Sequence, residues 1–167
     1  RKTGAALASG TITTLGTEVA STSGTSITFT SIPAGTRHIV IMFNGVSTNN
    51  TSEILIQIGD AGDVETSGYL GGATTDGTAR VEQTAGFGIT SSHAAADIMH
   101  GFITLVLEDS SDFTWMSQGI ITQTGVVYRT LSAGIKALTA ELDRVRITTV
   151  NGTDAFDAGA INIAYHA

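Results

Sequence analysis

Hydrophobic residues recur at every second position through most of this chain, the period of a strand with one face turned inward. In "TSITFTSI", Ile27 and Phe29 point one way while Thr28 and Thr30 point the other. Pro33 and Gly35 then turn the chain. "RHIVIMFNGV" follows, with Ile39, Ile41 and Phe43 on one face and Val40 and Met42 on the other. "EILIQIG" sets Ile54, Ile56 and Ile58 opposite Leu55 and Gln57. Strands apolar on both faces are expected to be covered on both. Further strands are expected in "GFGIT", "MHGFITLVLED", "FTWMSQGIIT" and "GVVYRTL". Between Asp60 and Gly86 the alternation fades into Gly, Thr and Asp, which predicts a long exposed loop with one short strand.

The end of the chain, "DRVRITTVNGTDAFDAGAINIAYHA", reads as a hairpin. Val145, Ile147 and Thr149 face one side and Arg144, Arg146 and Thr148 the other, while Ile161, Ile163 and Tyr165 face the core on the return strand. Asn151-Gly152 is a strong turn former, because both residues tolerate positive φ. Two segments depart from period two. In "LSAGIKALTAEL", Leu131, Ile135, Leu138 and Leu142 have helical spacing, but Gly134 sits inside, so a short helix and a turn leading to a strand both stay open. "SSHAAADIM" fits one helical turn capped by Ser92. The sum is roughly nine or ten short strands separated by turn signals, which predicts an all-β fold, an antiparallel β-sandwich with little helix. Residues 1–24 alternate weakly and read as an N-terminal arm or edge strand; residues 25–167 form the sandwich.

Composition narrows the function. A chain of 167 residues suits one domain, and with no cysteine it has neither disulfides nor thiolate chemistry. Its net charge of −7 argues against nucleic acid, which needs clustered Lys and Arg. No apolar run approaches the ~20 residues of a membrane span, so no membrane insertion is expected. "RKTGAALASG" starts without Met and lacks a signal-peptide core, which suggests a piece of a longer protein.

Candidate chemistry is sparse. Asp60, Asp63 and Glu65, and Glu108, Asp109 and Asp112, are acidic clusters of the kind glycosidases pair, but both sit where Asp caps turns. Asn151, Asp154 and Asp157 supply fewer oxygens than calcium prefers. His38, His93, His100 and His166 show no metal-ligand spacing, although one histidine per chain could meet its copies around a metal in an oligomer. No phosphate loop and no GxSxG elbow occur. No metal, no cofactor and no catalytic residue are therefore assigned. Tyr69 and Trp115 lie near strand ends, where exposed rings suit stacking on sugar faces; for Trp115 the alternative is a place in the core.

"FNGVSTNNTSEILIQIGDAGDVETSGYLG" and "ALTAELDRVRITTVNGTDAFDAGAINIAY" together resemble the C-terminal domains of bacteriophage tail fibres and tailspikes. The resemblance runs from about Gly16 onward, and "MFNGVSTN", "ETSGYL" and "LDRVRITTVNGTDAFDAG" carry most of it. It implies a jelly-roll-like sandwich that assembles as a homotrimer at a fibre tip, fed by an upstream shaft. It also implies that "KALTAELDRV" turns into a strand. The expected function is non-catalytic binding of a host cell-surface glycan such as lipopolysaccharide or capsule, at the virion tail tip outside the bacterium. The "GGATTDGTARVEQTAG" loop is the first candidate for contact, with Tyr69, Asp76, Arg80 and Trp115 as candidate residues. The alternatives are a purely structural trimerisation cap and a glycan-active enzyme using one acidic cluster.

Overall fold

A computed structural model describes residues 13–125 and 127–166. Its strands, in chain order, are β1 (Thr14–Leu15), β2 (Val19–Ala20), β3 (Ser26–Phe29), β4 (His38–Thr48), β5 (Ile54–Gly59), β6 (Leu70–Thr75) and β7 (Val81–Glu82). There follow β8 (Phe87–Gly88), β9 (Ile98–Asp109), β10 (Thr114–Thr124), β11 (Tyr128–Ala137), β12 (Arg144–Thr149) and β13 (Phe156–His166). The larger sheet has the order β1-β13-β4-β9-β10-β11-β6-β7, with β2 also paired to β13. The smaller has the order β3-β12-β5-β8. Every pairing between these strands is antiparallel, and no α-helix occurs among the described residues. The antiparallel sandwich expected from the alternation is present.

The core is where the two sheets face. Ile27, Phe29, Ile54, Ile56, Ile58, Val145 and Ile147 come from the smaller sheet. Ile39, Ile41, Phe43, Ile103, Leu105, Trp115, Ile121, Ile161 and Ile163 answer them from the larger. β-Branched isoleucine is stiff and packs well on a pleated surface. Each such side chain contributes roughly 1.5–3 kcal/mol when fully buried.

Two expectations are corrected, and one open segment is decided. The last two strands are not a hairpin: β12 pairs with β3 and β5, while β13 pairs with β4, β1 and β2 in the opposite sheet. Strands facing across a core show the same alternation as strands bonded side by side, so the pattern alone does not separate them. "LSAGIKALTAEL" holds no helix; Leu131 to Ala137 belong to β11, and Leu138 and Leu142 anchor the irregular link to β12. "SSHAAADIM" is a turn, with Asp97 accepting a bond from the Ala94 amide at 2.7 Å.

The segment from Asp60 to Gly86 is also less open than expected. β6 is an internal strand bonded to β11 and β7, and Tyr69, Ala73, Thr75 and Gln83 are buried. Its "LGGATT" shows no alternation because Gly71 and Gly72 lie under neighbouring backbone, where a side chain would collide with Ala133 and Val81. The chain from Ala85 to Gly86 then covers the outer side of β5: Gln57 Nε2 donates to the Ala85 carbonyl at 2.8 Å, and Leu55 is buried there too. Of the N-terminal arm, β1 and β2 lie along β13, and residues 1–12 fall outside the described residues.

Where β4 pairs with β13, the larger sheet carries a pair of facing bulges. Register slips between Asn44 and Val46 on β4, and again on either side of Ala158 on β13. Gly45 and Gly159 sit there with φ of 70° and 85°, back to back. A Cβ on Gly159 would fall on the Gly45 backbone well inside van der Waals contact. Gly159→Ala is therefore expected to destabilise the fold by at least the ~1–3 kcal/mol of a non-glycine residue held at positive φ. Chemical denaturation of the purified variant measures this, and an unchanged midpoint would contradict the facing-bulge geometry.

Candidate functional site

The four candidate glycan residues do not come together. Tyr69 precedes β6 and Asp76 follows it, about 20 Å apart along an extended strand. Tyr69 is fully buried: its hydroxyl accepts from the Ile58 amide at 2.8 Å and reaches the Glu65 carbonyl at 3.0 Å. Its ring meets Phe87 edge-on at 4.9 Å, and Lys136 Nζ lies 5.5 Å from its centroid. Burial holds the phenol well above its ordinary pKa. Trp115 is 1% exposed, and its indole N–H has no partner among the described residues. Both rings are core, so neither offers a face to a sugar: for Tyr69 this corrects the expectation of an exposed stacking ring, and for Trp115 it is the alternative, a place in the core. Asp76 and Arg80 do reach solvent. Asp76 accepts from Arg129 Nε at 3.1 Å, and Arg80 borders a shallow groove with Gly72, Thr74 and Glu82.

The acidic clusters shape turns. Asp60 accepts from Thr139 Oγ1 at 2.7 Å and from the Gly62 amide at 2.9 Å, which lowers its pKa. Asp109 accepts from the hydroxyl and amide of Ser111, both at 2.7 Å, with the same effect. Asp112 accepts from Thr114 Oγ1 at 2.6 Å. In the loop between β12 and β13, Asn151 Oδ1 accepts from the amides of Thr153 and Asp154, while its Nδ2 donates to Asp154 Oδ1 at 2.6 Å. The other Asp154 oxygen takes the Ser52 amide at 3.0 Å, and Asp157 accepts from Ser47 Oγ. The bonds to Gly62, Ser111, Thr114, Thr153 and within Asn151–Asp154 are the local bonding that makes Asp and Asn turn residues, while Thr139–Asp60, Ser52–Asp154 and Ser47–Asp157 tie these loops to distant segments. No group of three or more His, Cys, Asp or Glu positioned to hold a metal occurs among the described residues.

Arg144 and Arg146, on the smaller sheet, also find partners within the chain. Arg144 Nε donates to Asp143 Oδ1 at 2.7 Å, and Arg146 Nε donates to Gln57 Oε1 at 2.8 Å.

What most distinguishes the surface is the outer face of the larger sheet. Register places Met42, Phe102, Ile120 and Leu131 side by side across β4, β9, β10 and β11. A second row runs Val106, Met116, Ile135 and Leu70. Between them lie Val40, Thr104, Gln118 and Ala133. Phe102, Ile120, Leu131 and Leu70 are each more than half exposed. A groove of about 670 Å³ opens between Phe102, Ile120 and Leu131. None of these positions is charged. The second apolar face of β4 was legible in "HIVIMF", but its continuation across four more strands needed the register. No protein family, curated protein or solved structure matches the chain.

At one end of the sandwich, polar groups are enclosed. His93 is 7% exposed; its Nε2 lies 3.1 Å from Thr48 Oγ1, which itself donates to the Asn50 carbonyl. Its Nδ1 has no partner among the described residues. Burial holds this imidazole below its ordinary value of 6.5, against the opposing pull of the Asp97, Glu53 and Asp154 carboxylates. In the unfolded chain the ring takes up a proton near pH 6.5, while in the fold it resists, so the unfolded state binds more protons below that pH. Stability is expected to fall as pH drops through 6.5, before the carboxylates lose their bonds at lower pH. Thermal midpoints from pH 8 to 5 check this, and His93→Gln should flatten the slope.

Proposed function

We propose that this chain is a non-catalytic attachment module that works as a homotrimer, in the manner of the terminal domains of phage tail fibres and tailspikes. The observation that carries the reading is the uncharged apolar face of the larger sheet. Exposed apolar patches of this breadth are uncommon on monomers and mark interaction sites. The occupant is a second copy of the chain. Copies each bearing a net charge of −7 repel, and this face lets them approach without setting like charges against one another. Three such faces turned to a common axis make a shared apolar core, and a threefold arrangement closes on itself.

The ligand in this reading is a host cell-surface glycan, met at the exposed loops beside the sheet. Asp76 and Arg80 are open to solvent there, and Tyr128, 42% exposed, supplies an aromatic ring next to Arg129. Weak contacts at each copy add through multivalency. The burial of Tyr69 and Trp115 favours a second reading, a trimerisation cap that holds a fibre shaft closed and touches no glycan.

Light scattering coupled to gel filtration is expected to give three times the chain mass. Ile120→Lys should yield a folded monomer, since exposed substitutions shift intrinsic stability by only about 0.5 kcal/mol. A wild-type monomer overturns the reading, and a dimer overturns the threefold part of it. Binding to intact bacteria or a glycan array, lost in Asp76→Ala/Arg80→Ala while the trimer persists, separates attachment from the cap.

A further inference from the structure

His38 and His166 stand directly opposite each other on β4 and β13. Their rings lie 4.9 Å apart between centroids and are tilted by 31°. The other two histidines have partners elsewhere: His93 meets Thr48, and His100 Nδ1 accepts from the Gly45 amide at 3.2 Å. The paired rings have each other. Both are half-buried on the outer face of the larger sheet, where His38 also neighbours Val106 on β9.

Side chains directly opposite on antiparallel strands have Cβ atoms about 4.5–5.5 Å apart. Two imidazoles carried at that separation can converge their nitrogens on one ion, at the roughly 2.0–2.1 Å bond length of zinc–imidazole contacts. β4 lies between β13 and β9 in the larger sheet, so His38 and His166 are held side by side before any ion arrives. We propose that the His38–His166 pair is a binding site for a divalent transition-metal ion, Zn²⁺, Ni²⁺ or Cu²⁺, held by two imidazole nitrogens with water completing the shell. Imidazole suits these ions, whereas Mg²⁺ and Ca²⁺ prefer oxygen. The pair is complete within one chain, so it stands whether or not the chain trimerises. It borders the apolar face, so in a trimer the ion lies beside the contact between copies.

The test is thermal unfolding at pH 7.5 with increasing Zn²⁺ or Ni²⁺. A saturable rise in midpoint is expected, about 5–10 °C when the ion stands a hundredfold above its dissociation constant. EDTA should reverse it, and Mg²⁺ should not produce it. His38→Ala and His166→Ala should each abolish the shift, while His100→Ala retains it. Absence of any shift in the wild-type protein, or its survival in both single variants, overturns the proposal. If either variant fails to fold, NMR of the wild-type protein decides. Substoichiometric Cu²⁺ should broaden the ring signals of His38 and His166 ahead of those of His93 and His100, and the reverse order overturns the proposal.

Discussion

A side chain on a β-strand can point only to one face or the other, and here one direction is filled by isoleucine stacked between two sheets. Ile39, Ile41, Ile54, Ile56, Ile58, Ile103, Val145, Ile147 and Ile161 are all fully buried in that layer. Because the side-chain period is two, a slip of one residue in any of these strands would send its whole set outward. The core therefore fixes the register of both sheets, and the register fixes everything that faces solvent. The turns, the closed polar end around His93 and the outer rows of the larger sheet are consequences of where these side chains go.

The two sheets are unequal, and the inequality has a cost in exposed surface. Four strands can cover one face of the larger sheet but leave its other face to something else. The smaller sheet solves the same problem internally, since the chain around Ala85 and Gly86 lies over Leu55 and Gln57. No described segment does this for Phe102, Ile120 and Leu131, which stay more than half exposed.

Much of this was readable in the amino-acid order, and the misses share one cause. Alternation reports which face of a strand is apolar and does not report its neighbour. It marked the inward faces of β3, β4, β5, β12 and β13 while pairing the last two wrongly, since facing and adjacent strands alternate alike. Helical spacing in Leu131, Ile135, Leu138 and Leu142 arose from a strand followed by an irregular link, with Leu131 facing out and Leu138 and Leu142 facing in. The one short strand expected between Asp60 and Gly86 had no position in the sequence, because the glycines of β6 are selected by close backbone approach, which leaves no periodic mark. At the site level, the acids were read as turn residues from their Gly and Ser neighbours, and their bonds to Ser111, Thr114 and Gly62 are of that kind. Tyr69 misled because an aromatic before "GG" looks like a loop residue, yet its hydroxyl satisfies the Ile58 amide deep in the core.

The place of the last strand bears on how the molecule comes into being. β13 lies inside the larger sheet, between β1 and β4, and its partner β4 was made more than a hundred residues earlier. At ~5–20 residues per second, a ribosome needs several seconds to bridge that gap. During that time the outer edge of β4 has no strand to bond, and its apolar rows are open on both sides. Long-range pairing of this kind is slow to form and exposes the nascent chain to wrong partners. A sheet that must wait for a strand made so much later gains from any companion that shields the waiting edge, whether a chaperone or an identical chain growing beside it.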